Sequence, residues 1–208
     1  MTIQTITAPV YEPVSRAEAK DWCRIEASNT SHDAVIDMLI QSMREDVENL
    51  THRAFIQRTL KLTLSDWPQD SDFGPTIELP FPPLISVSSF QYRDADGVLQ
   101  TLATSQYVVH TWREPAWIVP EWEVTWPTIR ILPDALQITY VAGYSPGSPP
   151  DEQGSQDAMP AKLKLWMQAR LATIFENREQ LIVNNQVQIQ RNFADGLLDS
   201  LVVGTRLF

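Results

Sequence analysis

Apolar residues recur along this chain with two different periods, and the change between them divides it into parts. Across 31–53, Val35, Ile36, Leu39, Ile40, Met43, Val47 and Leu50 follow one another at steps mostly of three and four. That spacing predicts a long helix with one buried stripe, and it places Asp37, Gln41, Glu45 and Glu48 on the opposite face. Residues 59–64 (TLKLTL) alternate strictly instead, the mark of a half-buried strand. Further strands are expected over 76–79, 85–93, 98–102, 107–112, 116–119, 121–126 and 135–142. The tetrapeptide DADG at 94–97 reads as a hairpin turn, with Gly97 free to take a positive φ.

Helical spacing returns over 160–178, where Leu163, Trp166, Met167, Leu171, Ile174 and Phe175 form a stripe. A shorter helix is expected over 15–23, because Ser15 followed by Glu18 makes a capping box ahead of Ala19, Trp22 and Cys23. Pro9 and Pro13 keep residues 1–14 extended. The Gly/Pro/Ser-rich stretch 145–159 predicts an exposed loop. Beyond it, 181–189 suits an extended segment and 193–203 a last short helix. With no alternation of strand and helix, the sheet should be mainly antiparallel. The expected fold class is α+β: a small helical bundle of three main helices plus a C-terminal arm, with an antiparallel β-rich insertion over about 56–142. Residues 1–180 would form the body and 181–208 the arm.

Charge sharpens this picture. The formal net charge is −10, and residues 61–150 hold ten Asp or Glu against four Lys or Arg, while 158–208 hold four against six. An acidic middle argues against a tight phosphate-binding surface, which needs clustered cations. It does allow a wall that nucleic acid slides past. Cys23 is the single cysteine, so neither an intrachain disulfide nor a thiolate metal cluster is expected. No apolar run is long enough to span a bilayer, and the N-terminus does not read as a signal peptide, so a product made in the cytosol is expected.

Chemistry is sparse. His32, His52 and His110 lack metal-ligand spacing, and no phosphate-binding loop, dinucleotide fingerprint or nucleophile elbow occurs. Neither a catalytic site nor a cofactor is expected. Carboxylates pair at Asp70/Asp72, Asp94/Asp96 and Glu121/Glu123. The first two pairs lie in turn sequence, where Asp caps its own backbone. Glu121 and Glu123 would share one strand face opposite Trp122, Val124 and Trp126, a solvated edge more than a glycosidase pair. Trp112, Trp117, Trp122 and Trp126 are interleaved with Pro115, Pro120 and Pro127, and suit core packing plus a subunit contact, with stacking of sugars or unpaired bases as the alternative. The C-terminal tract offers Val187, Ile189, Phe193, Leu197, Leu198, Leu201 and Phe208, an apolar arm that either folds back or docks on a neighbour.

The order of these parts resembles the head–tail connector (adaptor, or head-completion) proteins of tailed bacteriophages and related gene-transfer particles. The likeness rests on 12–20 (EPVSRAEAK, against the family's EPVTLAEAK) and on the long helix 33–53 with AFIQ after it. PFPPLISV at 80–87, YRDADG at 92–97, ITYVAGY at 138–144 and the helix end ENRE at 176–179 continue it. The resemblance implies a non-enzymatic virion protein that forms a ring of about twelve copies beneath the portal. Such a ring extends the DNA channel, lets duplex DNA pass without specific binding and carries the next neck or tail protein. Portal docking would fall to the arm, and ring or neck contacts to the four tryptophans. Truncation after about Asn185 is then expected to leave a folded body that no longer joins the portal. The alternatives are a carbohydrate-binding or glycoside-hydrolysing virion protein using residues 112–126, and a tail-completion protein of similar build.

Overall fold

A computed structural model describes residues 1–68, 75–144, 159–176 and 195–204. The chain separates into two compact units, each discontinuous in sequence. Unit 1 comprises Met1–Val10 and Ile56–Ser145, and unit 2 comprises Tyr11–Phe55 and Pro146–Phe208.

Unit 1 contains all of the described strands. Its larger sheet has the order β1 (Thr2–Thr7), β2 (Arg58–Leu64), β8 (Leu136–Ala142), β4 (Leu84–Arg93), β5 (Leu99–Thr101), and every neighbouring pair is antiparallel. The second sheet has the order β3 (Ile77–Leu79), β7 (Ala116–Pro120), β6 (Tyr107–His110). Alternation sets the inner face of the larger sheet: Leu60 lies opposite Tyr140 and Leu62 opposite Ile138, and all four are buried. Phe90 joins the same layer from β4 and meets Tyr107 of β6, with ring centroids 5.5 Å apart. The Tyr140 hydroxyl donates to the Pro80 carbonyl at 2.8 Å, which satisfies the polar end of a fully buried ring. Burial pushes that phenol's pKa well up.

The expected strands at 59–64, 76–79, 85–93, 98–102, 107–112, 116–119 and 135–142 all form, with ends moved by a residue or two. The stretch 121–126 does not. The Glu121 N–H turns back to the Gln106 carbonyl at 3.0 Å, and the Val124 N–H bonds the Glu121 carbonyl at 2.9 Å. Glu123 takes a φ of 62°, outside the β region. Alternating residue types there arose from a turn bracketed by prolines. The glycine of ITYVAGY is demanded by sterics: Gly143 has a φ of 111°, and a Cβ on it would stand 2.4 Å from the Ile56 carbonyl oxygen.

Unit 2 holds α1 (Arg16–Trp22), α2 (Asp33–Thr51) and α3 (Ala161–Glu176), which touch one another pairwise. The capping box forms as expected: Glu18 N–H donates to Ser15 Oγ, and Ser15 N–H donates to Glu18 Oε2 at 2.9 Å. Ala19, Ile36, Ile40, Met43, Val47, Leu163, Trp166, Met167 and Leu171 are buried. The buried face of α2 differs from the expected stripe. Val35 and Leu50 are exposed, and Arg44, Glu48 and Thr51 are buried in line with Ile36, Ile40 and Val47. α2 ends on His52 in the left-handed conformation, so the chain doubles back and buries Ala54 and Phe55. The buried Phe55 N–H needs an acceptor and finds it in Glu48 Oε1 at 3.0 Å.

Candidate interaction surface

In unit 1 the four tryptophans separate into two that pack and two that project. Trp117 lies in β7 between Glu78 of β3 and His110 of β6. Its indole N–H donates to Glu78 Oε1 at 3.1 Å, and the Arg113 guanidinium stacks on its ring at 3.7 Å from the centroid. Arg113 also pairs with Glu78 at 3.4 Å. Trp126 stacks on Trp67 with centroids 4.5 Å apart and planes within 6°. The two indoles donate in opposite senses, Trp126 to the Pro75 carbonyl at 2.8 Å and Trp67 to the Pro127 carbonyl at 3.1 Å. Trp67 belongs to this cluster although nothing in the sequence points to it, because it stands 59 positions from Trp126 in an Asp-Trp-Pro stretch.

Trp112 and Trp122 are 74% and 84% exposed. Trp112 leans edge-on against Trp117, with centroids 6.0 Å apart and planes at 67°. Trp122 sits on the turn that hangs from Gln106, where its own N–H donates to Glu121 Oε1 at 3.0 Å. These two rings therefore lie at opposite ends of β6 and form two separate points rather than one platform. The Glu121/Glu123 pair occupies the same turn and not a strand face, which removes the geometry expected of two carboxylates flanking a sugar. Asp94 and Asp96 do sit in a turn: Asp94 Oδ1 accepts from the N–H of Asp96 at 3.1 Å and of Val98 at 2.9 Å. Asp70 and Asp72 lie outside the described residues.

In unit 2 the described part of the C-terminal tract folds onto its own helices. A 3-10 turn (Asp195–Leu197) leads to Leu198, Leu201 and Val203, all buried, while Val202 is 47% exposed. The Val203 N–H donates to the Thr51 carbonyl at 2.9 Å, and Arg53 Nε donates to the Leu201 carbonyl at 2.6 Å. Carbonyls at the end of α2 have no intrahelical partners, and this tract supplies one. Leu197 is half-buried. Val187, Ile189, Phe193 and Phe208 lie outside the described residues.

Among the described residues no group of three or more His, Cys, Asp or Glu could hold a metal ion. No protein-family model matches the chain. No curated protein matches it either. Solved structures do. A chain from the neck of an empty gene transfer agent (GTA) particle, determined with C6 symmetry, aligns with a TM-score of 0.71 at 19% identity, covering 99% of this chain and 100% of that one. A chain from the virion of the native particle gives 0.72 at 20% identity, over 100% of this chain and 98% of that one. A third, from the native neck with C12 symmetry, gives 0.65 at 21% identity, with 99% and 100% covered. Over essentially its whole length, then, the chain has the fold of chains in the neck and virion of gene transfer agent particles.

Proposed function

We propose that this chain is a structural, non-enzymatic subunit of the neck of a phage-like particle, a head–tail connector of the adaptor kind. Twelve or so copies would form a ring beneath the portal, extend the DNA channel and present a platform to the next neck or tail protein. The observation that carries this reading is the end-to-end match with neck chains, which covers 99% of this chain and 100% of theirs. The acidic character of residues 61–150 supports a channel part that duplex DNA passes without adhering, since each phosphate contact made by Lys or Arg would add to binding. The exposed Trp112 and Trp122 suit contacts with a neighbouring copy or the next neck protein. The C-terminal tract remains the proposed portal-docking element.

The test is genetic and visual. Particles produced without this chain should have DNA-filled heads that carry no tails, and restoring the chain should restore tails. Electron microscopy of complete particles should place it in a ring between portal and tail. Normal yields of tailed, infectious or DNA-delivering particles in its absence would overturn the proposal.

A further inference from the structure

No further inference is drawn: the strongest candidate, the surface patch on the β6–β7 turn where the exposed Trp112 leans on Trp117 beside Arg113 and Glu78, carries none because nothing in the structure shows what covers it.

Discussion

Glu48 shows how one residue can carry an element boundary. It is 4% exposed and Arg44 5%, and their side chains meet at 3.0 Å while Arg44 Nε reaches Glu12 Oε2 at 2.8 Å. Burial works against the charge on Arg44, but the hydrogen bond to Glu12 and the charges of both carboxylates outweigh it and hold its pKa above the ordinary value. The second oxygen of Glu48 takes the Phe55 N–H where the chain doubles back. Glu48→Ala should therefore destabilise the protein by roughly 2–4 kcal/mol, since it removes the acceptor of a buried N–H and one carboxylate from a buried cation that keeps Glu12 and Glu45. Glu48→Gln keeps an acceptor for Phe55 and should cost less, about 1–3 kcal/mol. Denaturant unfolding of the two variants measures the difference, and equal stabilities for Glu48→Ala and the parent would refute the role.

At the scale of elements, the C-terminal tract changes the expected result of truncation. Cutting after Asn185 removes Leu198, Leu201 and Val203 from the unit 2 interior and takes away the N–H that bonds the Thr51 carbonyl. Each lost Leu alone costs roughly 2–5 kcal/mol. The truncated chain should accordingly lose its cooperative thermal transition or melt far below the parent, and an unchanged melting temperature would contradict the packing. Portal docking is better tested by a change at the exposed Val202, which leaves that interior intact. The helices were legible in sequence because the apolar period and the Ser15 box are local signals. Glu48 was not, because its burial is set by a reversal at His52 that no periodicity announces. The β1 strand was read only as extended, since Thr, Gln and Ile without a buried face give no partner. Trp122 was assigned to a strand because prolines on either side of a turn can mimic alternation.

For the molecule as a whole, charge makes stability depend on acid. The Arg16 side chain holds the Asp37 carboxyl below its ordinary value, Arg93 does the same for Asp134, and Gln100 with backbone N–H groups does so for Asp94. These groups bind protons less readily folded than unfolded, so the stability they contribute is complete above the ordinary carboxylate range. It is lost as pH falls through their depressed values. The melting temperature should stay nearly level from neutrality down to about pH 4.5 and then drop. A melting temperature that rose on acidification below pH 4 would show that relief of the net charge of −10 dominates instead. The interleaving of the two units also dictates an order of events during synthesis. Thr2 must wait for Thr63 before β1 has a partner, and the larger sheet is complete once β8 has been made. By then α1 and α2 have long since left the ribosome, but α3 has not been made. A chain interrupted near residue 150 would thus carry its sheet strands and two helices before α3, which touches both helices, has been made. A pause before the last quarter is translated should therefore leave apolar faces of α1 and α2 open to aggregation until α3 arrives.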